Sequence, residues 1–103
     1  MPRPFHHPPV RAISIDGVLH ALSDPTRRQV MLKLLQCEGM SCAKACADLP
    51  ASTISFHHRV LREAGLIRSE KRGVEVINTA RRADIDKRFP GLLDTILRHH
   101  RNS

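Results

Sequence analysis

The sequence lacks tryptophan and tyrosine entirely and has only three phenylalanines in 103 residues. Proteins that bind single-stranded nucleic acid usually stack the bases on several aromatic rings, so this composition argues against that function. No hydrophobic run approaches the roughly 20 residues of a membrane-spanning helix. The first residues, MPRPFHHPPV, also lack the apolar stretch of a secretory signal. We therefore expect neither a membrane-spanning segment nor secretion.

Cysteine and acidic residues are scarce as well. The three cysteines are an odd number, make no disulfide framework and fit a reducing cytoplasm. Ten Asp and Glu residues against 17 Lys and Arg leave a net charge of +7, which indicates a polyanionic partner. The length is that of one domain, and a helical chain this short often completes its core by dimerising.

Helical spacing begins after a proline-rich start. Residues 1–12 contain four prolines and are interpreted as a flexible arm, which leaves 13–103 as a single domain. ISIDGVLHAL predicts a first helix, and SDPTRRQVMLKLL restarts one. Asp24 is the predicted cap of that second helix. Pro25 suits its first position because a proline lacks the N–H that would be unpaired there.

Two more helices separated by a short turn follow. SCAKACADL predicts a short helix with Ser41 as its cap and Met40 on its apolar side, and LPAS ends it at Pro50. Another helix is predicted over 51–64. Two helices with a turn of about three residues between them are typical of a helix-turn-helix.

The period then changes from helix to strand. LIRSEKRGVEVINT is rich in β-branched residues, and its Lys-Arg-Gly sequence predicts a hairpin with a basic tip. ADIDKRFPGLLDTILRHH predicts a last helix with a kink at Phe89-Pro90-Gly91. The predicted fold is therefore mainly α with a small β-hairpin wing.

The helix at 51–64 has two different faces on a helical wheel. Small hydroxyl residues let a helix end approach base edges, arginine can form paired hydrogen bonds with guanine or phosphate, and phenylalanine can contact a thymine methyl. The outward face carries Ser52, Ser55, Phe56, Arg59 and Arg62.

Two adjacent histidines on the same helix invite a metal-site interpretation. Neighbouring helical positions diverge by about 100°, so His57 and His58 are badly placed to bind one ion. We expect His57 to be packed or hydrogen-bonded on the inner side, and His58 to be partly solvated at the edge of the core.

LHALSDPTRRQVMLKLL followed by STISFHHRVLREAGLIRSEKRG resembles the ArsR/SmtB family of winged helix-turn-helix transcriptional regulators. The signatures are the helix start at 24–27 and the junction VLREAGLI at 60–67. The resemblance implies a homodimer whose first and last helices pack across a two-fold axis. It also implies a recognition helix, 51–64, in the major groove and a wing tip, 71–74, on the flanking backbone.

The resemblance also implies that the protein is a sequence-specific DNA-binding regulator, and we expect a repressor. Its expected partners are double-stranded DNA and a second copy of the chain, and no membrane association is expected. The first and last predicted helices also carry more apolar surface than one small domain can cover, which predicts a dimer surface formed by Ile15, Val18, Leu19, Leu22, Leu92, Leu93, Ile96 and Leu97. The predicted DNA-binding residues are Ser52, Thr53, Ser55, Phe56, His57, Arg59, Arg62, Lys71 and Arg72.

Two other functions fit the sequence less well than DNA binding. A winged-helix module that binds protein would present an acidic or apolar recognition face, and this face is neither. A small Cys/His enzyme would need a catalytic arrangement that the sequence does not contain, so we expect no enzymatic activity.

The cysteines leave two alternatives open. Cys42 and Cys46 are four residues apart on the predicted short helix, and Cys37 lies just before it. Together they could bind a soft metal or arsenite or form a redox disulfide; alternatively they only fill gaps in the packing. The paired cysteines of arsenic-sensing relatives align with Gly39 and Ser41, so that site is not carried over. No other cofactor is expected.

Overall fold

The computed structural model describes residues 5–36, 40–41 and 50–100. In these residues the chain forms five α-helices and three strands, with one 3₁₀ turn at Val10–Ala12 before them. In chain order they are α1 (Ile15–Ala21), α2 (Pro25–Gln36), β1 (Met40–Ser41), α3 (Ala51–Glu63), β2 (Ile67–Arg72), β3 (Glu75–Ala80), α4 (Arg82–Arg88) and α5 (Leu92–His100). The predicted fold class, mainly α with a hairpin wing, is confirmed.

The first two helices begin where the sequence indicates. The Ser14 hydroxyl accepts a hydrogen bond from the Gly17 N–H at 3.0 Å. A carboxylate oxygen of Asp24 accepts from the N–H groups of Thr26 and Arg27 at 2.7 and 3.1 Å. These side chains satisfy donors that have no partner within their own helix, which fixes the start of α1 and α2.

The hairpin has the predicted tip and gains a strand that the sequence did not suggest. β2 and β3 pair antiparallel, with Lys71 opposite Val76 and with Gly73 at a φ of +62° in the turn. β1 pairs with the other edge of β3, and Met40 lies opposite Asn78. The prediction that Met40 belongs to the short helix is therefore wrong, because backbone pairing with β3 draws it into the sheet. The rest of that helix lies outside the described residues.

The hydrophobic core lies between the helices and one face of the hairpin. Residues from each of the five helices, from β2 and from the segment before α1 meet there, so burial depends on the complete arrangement. Val18 and Leu22 belong to this core, so their predicted place in the dimer surface is wrong. The buried apolar residues are Ile13, Val18, Ala21, Leu22, Val30, Met31, Leu34, Leu61, Leu66, Ile67, Ile85, Leu93 and Leu97.

The C-terminal segment forms two helices and not one kinked helix. α4 ends at Arg88, and α5 starts at Leu92 after Gly91, which has a φ of +81°. Leu93 and Leu97 of α5 are buried in the protomer's own core. Their predicted place in the dimer surface is therefore wrong, because the most apolar stripe of α5 packs against α2 of the same chain.

The end of α3 depends on a glycine for two reasons. Gly65 has a φ of +86°, and the Leu66 N–H bonds back to the Leu61 carbonyl at 3.0 Å, which closes the helix in a Schellman motif. A Cβ at this glycine would lie 2.6 Å from Cγ1 of Ile13. Both the backbone conformation and the close approach of Ile13 require a residue without a side chain.

We predict that Gly65→Ala destabilises the protein more than Gly91→Ala does. Both substitutions force alanine into the left-handed region, at about 1–2 kcal/mol each. Only Gly65→Ala also displaces a core side chain, which adds about 1–3 kcal/mol, since nothing lies within 4 Å of a Cβ at Gly91. Urea unfolding of both variants measures the difference; equal losses would contradict the close contact with Ile13.

Candidate DNA interface

The outward face of α3 is solvent-exposed where the helical wheel predicts it. Ser52, Ser55 and Arg59 are exposed, and 48% of the Phe56 surface is accessible. Thr53 is half-buried. This face is small and hydroxylated at its N-terminal end and cationic further along, which suits close approach to a polyanion.

His57 points away from that face. It is 8% exposed, and its Nδ1 lies 3.2 Å from Nη1 of Arg27 on α2. Since arginine can only donate, His57 Nδ1 accepts this hydrogen bond. The prediction that His57 contacts DNA places it on the wrong side of the helix, while the expectation of a hydrogen-bonded inner histidine agrees with this geometry.

Arg27 joins three helices through one buried guanidinium. Besides His57, it donates from Nε to the Ala21 carbonyl at 2.6 Å and from Nη2 to the His20 carbonyl at 3.4 Å. Those carbonyls end α1, whereas His57 lies in the middle of α3. The orientation of α3 relative to α1 therefore depends on this side chain.

His58 is buried and not partly solvated as expected. It is 2% exposed, because α3 packs close enough to the core to cover both of its histidines. Nδ1 of His58 lies 2.8 Å from the Ile54 carbonyl and must donate to it, so in the neutral ring Nε2 carries no proton. Among the described residues Nε2 has no hydrogen-bond partner. Burial lowers the pKa of His58 below its ordinary 6.5, Arg62 lowers it further, and the bond to Ile54 opposes the shift.

Arg62 braces α3 against the hairpin. Its Nη1 donates to the Ser69 hydroxyl at 3.0 Å, and that hydroxyl donates to the Asn78 side-chain oxygen at 2.6 Å. The Phe5 ring lies 4.5 Å from the Arg62 guanidinium carbon. Arg62, predicted to bind DNA, is thus half-buried between the N-terminal segment and β2.

The wing tip presents exposed charge. Lys71 and Arg72 are both exposed, and Arg72 makes a solvent-exposed ion pair with Glu70 at 3.3 Å. Such a pair is worth little in water and can give way to a phosphate. The next two arginines along the chain differ: Arg81 pairs with Asp84 and Arg82 with Asp94, each at 2.9 Å.

The N-terminal segment, residues 5–13, lies along the base of the wing. The Ser69 N–H donates to Nε2 of His7 at 2.9 Å, and Arg81 donates to the Pro8 carbonyl at 2.9 Å. Burial lowers the pKa of His7, and Arg68 and Arg81 lower it further, so the neutral form that accepts this bond is favoured. Sequence reasoning missed these contacts, since a proline-rich stretch carries no periodicity to reveal them. The mobility of the 1–12 arm stays a prediction.

Cys37, Cys42 and Cys46 lie outside the described residues, so the thiol-sensor hypothesis stays a prediction. Within residues 5–36, 40–41 and 50–100, no group of three His, Cys, Asp or Glu side chains is placed to hold a metal ion. No helix in that part of the chain combines the length and apolarity needed to cross a bilayer.

We predict that acid destabilises the fold through His7 and His58, whose pKa values are lowered in the folded protein. A histidine whose pKa is lowered by folding binds fewer protons in the folded state than in the unfolded state. The free energy of unfolding therefore falls as pH drops below about 6.5, by up to about 1.4 kcal/mol per pH unit for each such histidine. His58→Leu should make this fall shallower, whereas His99→Gln, at an exposed position of α5, should not. Urea unfolding between pH 5.5 and 7.5 measures it; equal slopes for wild type and His58→Leu would contradict the prediction.

Comparison with known proteins agrees with this arrangement. A family model described as a helix-turn-helix domain matches residues 22–70. The chain is similar to the solved structure of an ArsR-like transcriptional regulator from Rhodococcus sp. RHA1, with 28% sequence identity and a TM-score of 0.62. The match covers 84% of the present chain and 83% of the Rhodococcus chain. No curated protein matches. These matches and the fold above support a winged helix-turn-helix transcriptional regulator similar to those of the ArsR family.

Proposed function

We propose that the protein binds a two-fold symmetric DNA operator as a homodimer and represses transcription. The observation that carries this is the exposed α3 face lying on the same small domain as the exposed basic wing tip. α3 enters the major groove and reads base edges, and Lys71 and Arg72 contact the flanking phosphates. The DNA-contacting set is then Ser52, Thr53, Ser55, Phe56, Arg59, Lys71 and Arg72, with His57 and Arg62 as internal supports.

The start of α3 supports this orientation. Pro50 precedes the helix and its side chain makes no capping hydrogen bond. Pro50 thus leaves the first N–H groups of α3 without a side-chain cap from the N-cap position, and the helix dipole favours negative charge at that end, which suits a phosphate. A phosphate there would place Ser52 and Ser55 beside the bases.

A second copy of the chain best explains the apolar surface of α1. Ile15 and Leu19 are 40% and 47% exposed. Leu92 and Ile96 of α5 are only half-buried. An isologous pairing through α1 and α5 would cover these side chains and set two copies of α3 about one helical turn of DNA apart or more.

We predict a steep salt dependence of DNA binding. If the dimer neutralises about six phosphates, the logarithm of the affinity should fall against the logarithm of the salt concentration with a slope of about −5. Lys71→Ala should make that slope shallower by about 2 in the dimer, since each copy loses one phosphate contact. Lys87→Ala, an equal charge change at an exposed position of α4, should leave it unchanged.

Fluorescence anisotropy titrations on the DNA upstream of the gene, at several salt concentrations, provide the measurement. A slope near zero for the wild type would overturn the proposed function. If Lys71→Ala and Lys87→Ala changed the salt slope equally, the wing would not be part of the DNA interface.

We predict that Leu19→Asp converts the homodimer into a folded monomer, because the substitution places a charge on the proposed interface at a position exposed in the protomer. Val74→Asp, at a fully exposed apolar residue of the wing tip, should leave the protein a dimer. Sedimentation at micromolar concentration distinguishes the two. A monomeric wild type, or a dimeric Leu19→Asp variant, would contradict the proposed assembly.

A further inference from the structure

We propose that Phe56 reads the C5-methyl group of a thymine in the major groove, so that the regulator senses pyrimidine methylation at one position of each half-site. This inference rests on the proposed DNA binding. It adds which chemical group of the base the recognition helix requires.

Phe56 is an isolated apolar side chain on an otherwise polar face. The large exposed hydrophobic residues of the described chain also include Ile15, Leu19 and Val74, which lie on α1 and at the wing tip. Around Phe56, α3 presents the exposed residues Ser52, Ser55 and Arg59. A protein partner would need a contiguous apolar patch of a few hundred Å², and one ring among hydroxyls and a cation does not supply it.

The Phe56 ring has two neighbours on its own helix, His57 and Arg59. The His57 ring centroid lies 5.5 Å from that of Phe56, with the planes tilted by 58°. The Arg59 guanidinium carbon lies 5.9 Å from the Phe56 ring centroid. Arg27 holds His57 by a hydrogen bond, so the Phe56 ring has a fixed neighbour on the side of His57 before DNA binds. A ring with a fixed neighbour on one side loses less conformational entropy on contact than an unconfined ring.

The ligand follows from the chemistry of the groove. Each base pair presents donors and acceptors to the major groove, but of the four ordinary bases only thymine adds a methyl group there. Phe56 lies in the second turn of α3, within the N-terminal part of a recognition helix that reaches base edges. An apolar ring between hydroxyl and guanidinium groups therefore matches a thymine methyl flanked by polar base edges and phosphate.

Uracil interference tests every thymine of the bound DNA in one experiment. A DNA fragment bound by the wild-type protein is prepared with random replacement of thymine by deoxyuridine, which removes only the methyl group. Bound and unbound molecules are separated, and cleavage at uracil maps the positions where the methyl matters. We expect one sensitive position per half-site, related by two-fold symmetry, with a loss of about fourfold in affinity for each methyl.

The Phe56 variants identify the side chain responsible. Phe56→Ala should bind with the wild-type salt slope but lose the sensitivity to uracil, and Phe56→Leu should keep part of it. At the mapped position, a G·C pair carrying 5-methylcytosine should bind the wild type more tightly than the unmethylated pair.

Several results would overturn the inference. One is a uracil pattern without sensitive positions. A second is the same uracil pattern for wild type and Phe56→Ala. If salt-dependent operator binding persists in either case, the proposed function survives and only this inference fails. Another is a change in the oligomeric state of the DNA-free protein when Phe56 is replaced by alanine, which would assign the ring to a protein interface. Loss of all DNA binding in the wild type would overturn the proposed function together with this inference.

Discussion

The buried Arg27 guanidinium is the interaction on which the recognition surface depends. Burying a cation is costly unless its donors are satisfied, and here they reach two carbonyls at the end of α1 and one histidine in α3. Without Arg27, the Ala21 carbonyl and His57 would lose a donor in a buried site. The energetic requirement to pair these groups therefore holds α3 in one orientation relative to α1.

A second set of contacts fixes the wing to the same helix. The guanidinium of Arg62 on α3 bonds to Ser69 on β2, and Ser69 bonds to Asn78 on β3. His7 and Phe5 close this chain of contacts from the N-terminal segment. Since hydrogen-bonded networks of this kind are rigid when every member is paired, helix and hairpin act as one unit. The proposed DNA-contacting surfaces of α3 and the hairpin would therefore need little ordering on binding.

Features that depend on neighbouring residues could be predicted from the sequence, and features that depend on distant ones could not. The Asp24 cap, the turn at Gly73 and the exposed face of α3 follow from spacing and residue chemistry over a few positions. A helical wheel separates faces, but it does not say whether an apolar face meets its own core or another chain, so the surface predicted for Leu93 is wrong. The pairing of β1 with β3 and the bond between His7 and Ser69 join segments far apart in the chain, and no local pattern encodes them.

The junction SDPTRR shows why a family signature can have physical content. Asp24 holds the start of α2 through its carboxylate, and the next two arginines return to the preceding helix. Arg27 donates to the Ala21 and His20 carbonyls, while Arg28 donates to the Leu22 carbonyl at 2.7 Å. Cations at a helix C-terminus stabilise the negative end of its dipole and satisfy carbonyls that have no partner within the helix. One short segment thus ends α1, starts α2 and, through Arg27, positions α3. These arginines contribute to the net charge of the chain, but their hydrogen bonds stabilise the junction between the helices, so net charge alone does not locate a binding surface.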